Sequence, residues 1–148
     1  MFYFFYTAPE KTNKKKQKPT LKAAASGPSP LKTLALTAIY DVVRCVFDGT
    51  KMYEVRTQKC VKKKIGRLPV AGDIVCLLAG RYVVWCVVGG VKDEKMLEDL
   101  VDEHSYQECV PWANTLQDAL SLYRTLVSDD GSGYVRMLLN PPFKTLNF

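Results

Sequence analysis

The 148-residue sequence has a single histidine, His104, and its five cysteines include no Cys-x-x-Cys pair. Zinc sites need closely spaced Cys and His ligands, so the sequence offers no zinc framework. No apolar run approaches the roughly 20 residues that cross a bilayer. The opening run from Met1 to Tyr6 is too short for a signal-peptide core and lacks a basic start. These absences favour an intracellular protein, nuclear or cytoplasmic, with reduced thiols.

Acidic residues are nearly absent from the first 33 residues, where Glu10 stands against seven lysines. Residues 1–30 are rich in Lys, Pro, Thr, Ala and Ser after the aromatic start, which predicts a disordered arm. The run from Lys14 to Lys18 is typical of a nuclear-import signal and predicts an import receptor as a partner. A solvated tail attracted to nucleic acid is an equal alternative. The net charge of +6 comes from this arm, because acids and bases balance in the rest of the chain.

Residues 31–148 predict a single domain of short strands and grouped helices. Strands are expected over residues 32–37, 52–58, 74–78, 82–88 and 134–139, and helices over 38–47, over 94–104 and after Thr115. The basic segment 59–69 is expected to be a loop, and Gly89-Gly90 a bend or bulge. Tight turns between short strands favour an α+β fold built on a small, partly closed barrel.

One segment, residues 49–56, concentrates the candidate chemistry. If it is extended, alternation places Glu54 and Arg56 on one face and Tyr53 on the other, with Lys51 at the mouth of the strand. Two cations and a carboxylate at the rim of a sheet are suited to gripping a phosphate and moving a proton.

The segment that follows is strongly basic. Residues 51–67 hold seven bases against Glu54, whereas residues 92–108 hold seven acids against two lysines. One basic edge and one acidic edge are therefore expected, and the basic edge adjoins the motif. Four lysines of this edge predict contact with a polyanion, the alternative being a solvated segment without a partner. They are Lys59, Lys62, Lys63 and Lys64.

The motif Gly49-x-Lys51-x-x-Glu54-x-Arg56 resembles the G-x-K-x-x-E-x-R signature of the ASCH domain. The fold of that family is a β-barrel similar to the PUA domain. The resemblance implies that the three charged residues take the positions of the motif lysine, the motif acid and the terminal arginine.

The surroundings of the motif are similar to the family pattern over residues 31–140. A Gly72-Asp73 turn leads into a strand, and Pro111 and Tyr123 lie late in the chain before a final strand. Within the family, the sequence most resembles the stand-alone ASCH proteins of large DNA viruses of insects.

The resemblance implies RNA as the partner. ASCH domains are regarded as RNA-binding modules, and some stand-alone members are similar to metal-dependent ribonucleases that act on single-stranded RNA. Other members are amidohydrolases that deacetylate acetylcytidine, but that branch has a threonine at the position of Glu54. The resemblance therefore favours an RNA-binding protein with endoribonuclease activity. The alternatives are a non-catalytic module for RNA or a modified nucleotide and, less expected, an acetylcytidine amidohydrolase.

Each motif residue has a role in the ribonuclease hypothesis. Lys51 would bind the scissile phosphate, Glu54 would act as general base or hold Mn²⁺ or Mg²⁺, and Arg56 would orient Glu54 or grip phosphate. An equally weighted alternative is a structural ion pair between Glu54 and Arg56. Tyr53 or Trp112 would provide a stacking face, although Trp112 is expected in the core.

Overall fold

A computed structural model describes residues 30–148 of the chain. The predicted arm, with its import signal from Lys14 to Lys18 and its aromatic start from Met1 to Tyr6, lies outside the described residues. Within residues 30–148, none of the helices has the length and apolar character needed to span a bilayer.

Six strands and four α-helices make up the described part. The strands are β1 (Thr33–Thr37), β2 (Tyr53–Thr57), β3 (Ile74–Ala79), β4 (Tyr82–Glu94), β5 (Tyr134–Leu139) and β6 (Lys144–Leu146). The helices are α1 (Tyr40–Asp48), α2 (Gln58–Ile65), α3 (Tyr106–Cys109) and α4 (Leu116–Leu126), with a 3₁₀ turn at Leu97–Asp99. The five predicted strands are confirmed, as are the helices expected from residue 38 and after Thr115.

The strands form one curled sheet in the order β1-β3-β4-β5-β2, with β6 beside β4. β1 pairs with β3 in parallel, and the other pairs are antiparallel. The first half of β4 pairs with β3 and the second half with β5, and the register shifts between Val88 and Val91. The bulge predicted at Gly89-Gly90 lies at this shift, and bulges increase the local twist. The sheet is therefore a half-barrel with β1 and β2 as its edges, which confirms the α+β, partly closed barrel.

The basic segment after β2 is the helix α2, so the prediction of a loop there was wrong. Thr57 caps the helix, because its hydroxyl accepts a hydrogen bond from the backbone N–H of Cys60 at 3.2 Å. Val61 and Ile65, four residues apart, bury one face of the helix, and Gly66 ends it in a left-handed conformation. The lysines are left on the outer face, which is why the segment looks like a loop by composition.

The helix predicted over residues 94–104 was also wrong. β4 continues to Glu94 because Val91 and the residues after it pair with β5, and only the short 3₁₀ turn follows. Leu97 and Leu100 are buried, but Met96 is 56% exposed. Strand pairing therefore overrides a local helical pattern in this segment.

Two apolar clusters make the core. The first lies between the sheet and the helices α1 and α2, and the second lies where β2 and β5 meet α3 and α4. The first includes Leu34, Leu36, Val43, Val46, Val61, Ile65, Val75, Leu77, Val84, Cys86, Val88, Val135, Met137 and Leu139. β2 is an edge strand beside the second cluster. The face of β2 that carries Glu54 and Arg56 therefore lies next to apolar side chains.

Asp73 is a fully buried carboxylate that joins the start of β1 to the turn before β3. It accepts hydrogen bonds from the backbone N–H of Lys32 and of Val70, both at 2.8 Å, and from Arg67 at 2.7 Å. Burial alone would raise the pKa of Asp73. Arg67 and the two backbone N–H groups outweigh burial and lower the pKa to about 2.

Asp73→Asn is expected to lower the free energy of unfolding by about 2 kcal/mol at pH 7. A carboxyl group with a lowered pKa in the folded state contributes stability above its unfolded pKa of 3.8 and loses it as the pH falls to about 2. The difference from wild type should therefore shrink between those values, which urea denaturation at pH 7, 4 and 2.5 measures. The control is Asp48→Asn, whose ion pair with Arg44 is exposed. A pH-independent difference would contradict the assignment.

Candidate functional site

A cavity of about 230 Å³ opens beside the end of β1, the strand β2 and the last turn of α4. Its walls are mostly apolar. Three apolar side chains at its rim are more than a third exposed: Ile39 at 41%, Trp112 at 40% and Leu126 at 46%. Trp112 is therefore a rim residue, and the prediction that it lies in the core was wrong. An apolar rim of this kind is typical of small-ligand sites.

The floor of the cavity consists of the motif residues Lys51, Glu54 and Arg56. Glu54 Oε1 lies 3.3 Å from Lys51 Nζ, and Glu54 Oε2 accepts from Arg56 Nε at 2.8 Å. The Lys51 and Glu54 side chains are 2% and 4% exposed, and the Arg56 side chain is 19% exposed. The alternation that places Glu54 and Arg56 on one face of β2 holds in the structure.

The end of α1 determines where Lys51 lies. Gly49 ends the helix with φ of 81°, a left-handed conformation that favours glycine. The backbone N–H groups of Thr50 and Lys51 then both donate to the carbonyl of Cys45 at 3.0 Å. The chain therefore leaves the helix at a fixed point, and the three-residue spacing from Lys51 to Glu54 brings their charges together.

Lys51 faces inward, and its ammonium group is saturated. Besides Glu54, its Nζ donates to the carbonyl of Cys109 at 2.5 Å and to the hydroxyl of Tyr123 at 3.2 Å. Three acceptors account for the three N–H bonds of the ammonium group. The structure thus places Lys51 inside the fold rather than at an open mouth of the strand.

The buried network keeps Glu54 charged and Tyr123 neutral. Burial alone would raise the pKa of Glu54, but Arg56 and Lys51 outweigh it and hold the pKa below its ordinary value. Burial, with Cys109 and Glu54 nearby, raises the pKa of Tyr123 well above its ordinary value, so the phenol stays protonated. The formal charges of the floor therefore sum to +1.

Glu54 is poorly suited to general-base catalysis. A general base works best with a pKa near the working pH and with a free lone pair that reaches the proton. The pKa of Glu54 is lowered, and each of its oxygens already faces a cationic nitrogen. The arrangement favours binding an electron-rich group over removing a proton.

Arg56 is the polar group of the floor that a ligand can reach. Its Nη2 donates to the carbonyl of Thr37 at 2.9 Å, which links the edge strands β1 and β2 across the open side of the half-barrel. Across residues 30–148, its Nη1 has no hydrogen-bond partner. Two N–H donors therefore remain for a bound molecule.

The lining residues do not fit a divalent cation. Mg²⁺ and Mn²⁺ prefer several oxygen ligands, whereas Glu54 is the single carboxylate among the described residues of the lining and is already paired with two cations. Burial raises the pKa of the Cys109 thiol to about 11, so it stays neutral. In the described part of the chain, no three His, Cys, Asp or Glu side chains group as a metal site.

Tyr53 lies outside the lining of this cavity. The guanidinium of Arg136 stands 4.3 Å from the centroid of the Tyr53 ring. Because that ring is already stacked on an arginine, Trp112 is the better placed of the two predicted stacking residues.

The four predicted RNA-binding lysines lie on α2, all exposed and all outside the cavity. Three of them, Lys59, Lys63 and Lys64, line a shallow groove together with Cys60 and Asp130. The structure thus separates the basic surface from the polar floor, although α2 begins two residues after Arg56.

Sequence reasoning missed the residues that hold Lys51. The Cys109 carbonyl and the Tyr123 hydroxyl come from 58 and 72 residues further along the chain. A partial signal was present, because Tyr123 is one of the residues through which the sequence resembles the ASCH pattern. Cys109 binds Lys51 through its backbone carbonyl, so its residue type gives no sign of this contact.

The sequence matches no family model and no curated protein. Solved structures of other proteins share its fold, among them the following three. The crystal structure of the hypothetical protein PH0355 is 16% identical, with a TM-score of 0.61, and the match covers 75% of this chain and 99% of that one. Protein PF0455 from Pyrococcus furiosus, solved by NMR, is 13% identical, with a TM-score of 0.56 and coverage of 76% and 98%. The crystal structure of ASCH from Zymomonas mobilis is 13% identical, with a TM-score of 0.51 and coverage of 78% and 73%.

These matches define the class of fold. The described part of the chain has the PUA-like α+β fold of the ASCH domain, as the motif at Lys51, Glu54 and Arg56 predicts. The similarity to viral members of the family stays a prediction.

Proposed function

We propose that this chain binds single-stranded RNA and holds one unpaired nucleotide in the cavity above Arg56. The observation that carries the proposal is the pairing of an exposed indole, Trp112, with a reachable guanidinium in one cavity. Proteins that read single-stranded RNA stack splayed bases on aromatic rings and hydrogen-bond the edges of those bases. The cavity offers both contacts, and RNA is the partner that the ASCH resemblance implies.

The size and charge of the cavity support a nucleobase as the ligand. A volume of about 230 Å³ accommodates a single planar ring system. It is too small for an α-helix, which is about 10 Å wide with its side chains. Base edges carry carbonyl oxygens and ring nitrogens, which accept hydrogen bonds from groups such as Arg56 Nη1. The net charge of +1 on the floor disfavours a cationic ligand.

The lysines of α2 would contact the backbone of the same RNA strand. Among residues 30–148, none of these lysines lies within ion-pair distance of a carboxylate, so their charges are open to phosphates. Lysine contacts to phosphate add affinity that is independent of sequence and sensitive to salt. The start of α2 close to Arg56 supports one continuous path from the cavity to this basic helix.

Binding has more support than cleavage. The ribonuclease hypothesis requires a proton acceptor, and the buried ion pairs make Glu54 a poor one. We therefore propose a non-catalytic RNA-binding module, with endoribonuclease activity as the alternative outcome of the test below.

Trp112→Ala is expected to weaken the binding of a fluorescein-labelled single-stranded RNA about ten-fold, because base stacking contributes roughly 1–3 kcal/mol. The melting temperature should stay unchanged, since the indole is 40% exposed. Fluorescence anisotropy with the full chain measures the affinity. The control is Phe143→Ala, which removes an aromatic ring that is 56% exposed and outside the cavity.

Several outcomes would contradict the proposal. Wild-type affinity in Trp112→Ala would exclude the cavity as the base site, and a wild-type chain that binds no RNA would exclude the function. The same mixtures, sampled over time with Mg²⁺, Mn²⁺ or EDTA, report cleavage. We expect intact RNA and equal binding in all three, whereas cleavage that the folded Trp112→Ala variant loses would place a ribonuclease activity in this cavity and establish the alternative.

A further inference from the structure

Among residues 30–148, four aromatic rings and two arginines group on one surface outside the cavity. The Phe47 and Phe148 rings stack with centroids 4.5 Å apart, and the Tyr82 ring lies 5.2 Å from Phe148. The Tyr40 ring meets Tyr82 edge-on at 5.0 Å. Arg44 stands 5.8 Å from the centroid of Phe47, and Arg81 stands 5.4 Å from that of Tyr82. We call these six residues the aromatic–arginine surface.

The α1 side chains of this surface lie outside the core, whereas its other two rings pack against the first apolar cluster. Val43 and Val46 bury the inner face of α1, whereas Tyr40 is 42% exposed and Phe47 is 39% exposed. Tyr40, Arg44 and Phe47 follow helical spacing along the outer face of α1. Contiguous exposed aromatic residues on a protein surface indicate an interaction site.

We propose that the aromatic–arginine surface binds the nucleotides of single-stranded RNA that continue from the one held in the cavity. The inference rests on the proposed function and extends it to a second contact region. Continuity along the chain supports it, because Ile39 at the rim of the cavity directly precedes Tyr40, the first residue of α1. A strand that leaves the cavity over the first turn of α1 reaches this surface next.

The chemistry of the surface fits an unpaired nucleic acid. Aromatic rings and guanidinium planes both stack on bases, and arginine also contacts phosphate. Arg44 pairs with Asp48 at 3.2 Å, but Arg81 has no carboxylate within ion-pair distance among the described residues. An apolar protein partner would bury that guanidinium without a counter-charge, which is costly. The phosphates of RNA supply this counter-charge.

The test compares a trinucleotide, which is long enough to place one base in the cavity, with a dodecanucleotide, which is long enough to reach both regions. The double variant Tyr40→Ser with Phe47→Ser should weaken dodecanucleotide binding about ten-fold and leave trinucleotide binding unchanged. Trp112→Ala should weaken both ligands. The control is Met96→Ser, since Met96 is apolar, 56% exposed and outside both regions. Equal affinity of the double variant and wild type for the dodecanucleotide would overturn the inference, even if Trp112→Ala upholds the cavity.

A second variant tests the inference independently, in case the double variant misfolds. Arg81→Glu reverses an exposed charge and should lower dodecanucleotide affinity, with a salt dependence reduced by about one phosphate contact. An unchanged salt dependence would overturn the inference. Sedimentation of the RNA-free chain tests the other occupant, a second copy. A wild-type dimer that becomes a monomer in both variants, without any change in RNA affinity, would also overturn it.

Discussion

Glu54→Gln is expected to lower the free energy of unfolding by about 3–5 kcal/mol, as is found when one partner of a buried ion pair is removed. The change leaves the ammonium of Lys51, 2% exposed, without its counter-charge. It also removes the charge from the oxygen that Arg56 contacts at 2.7 Å. Urea denaturation at pH 7, followed by circular dichroism, measures the loss.

A matched control and a rescue make this result specific. Glu98→Gln removes the same charge from an ion pair with Arg124 that is about half exposed, so it should change stability by less than about 1 kcal/mol. Adding Lys51→Met to Glu54→Gln should recover part of the loss, because no buried unpaired ammonium remains. A Glu54→Gln variant as stable as wild type would refute the buried network.

The pH dependence of the same variants has a defined sign. Because the pKa of Glu54 is lowered in the folded state, its charge stabilises the fold above its ordinary pKa of 4.5 and ceases to do so as the pH falls. The stability difference between wild type and Glu54→Gln should therefore shrink in acid. A difference that grows in acid would mean that the pKa is raised instead.

The sequence predicted the part of the site that depends on local spacing. Glu54 and Arg56 are two residues apart on a strand, so alternation alone places them on one face. The helix that precedes the motif was likewise predicted, over residues 38–47. The neighbours of Lys51 were not, because Cys109 and Tyr123 reach it through packing between distant segments, and no local period encodes such contacts.

The errors had physical causes of the same kind. Trp112 was expected in the core, but the neighbouring Val110 and Ala113 are the buried residues there. The helix α2 was missed because its lysines suggested a loop. Its cap at Thr57 and two buried residues are enough for the helix to form. Composition describes the exposed face of a short helix, whereas the buried face determines whether the helix forms.

Arg56→Lys is expected to weaken single-stranded RNA binding ten-fold or more while keeping the positive charge. Lysine lacks the planar guanidinium, so the Nη1 donors that remain open to a ligand are lost. A hydrogen bond to a charged group contributes about 1.5–3 kcal/mol, which corresponds to roughly 10- to 150-fold in affinity. Fluorescence anisotropy measures the affinity, and urea denaturation of the same samples corrects for any unfolded fraction.

Arg136→Lys is the matched control for this prediction. Arg136 is also a half-buried arginine on a strand, and it donates to the carbonyl of Leu100 at 2.7 Å, but it lies outside the cavity. Both variants lose one guanidinium and a bond to a backbone carbonyl, but Arg56 also contacts the buried Glu54, so Arg56→Lys should lose at least as much stability as Arg136→Lys. Only Arg56→Lys should lose RNA affinity. If both variants bind RNA as wild type does, Arg56 serves the fold alone, as the link from Glu54 to Thr37 across the open side of the half-barrel.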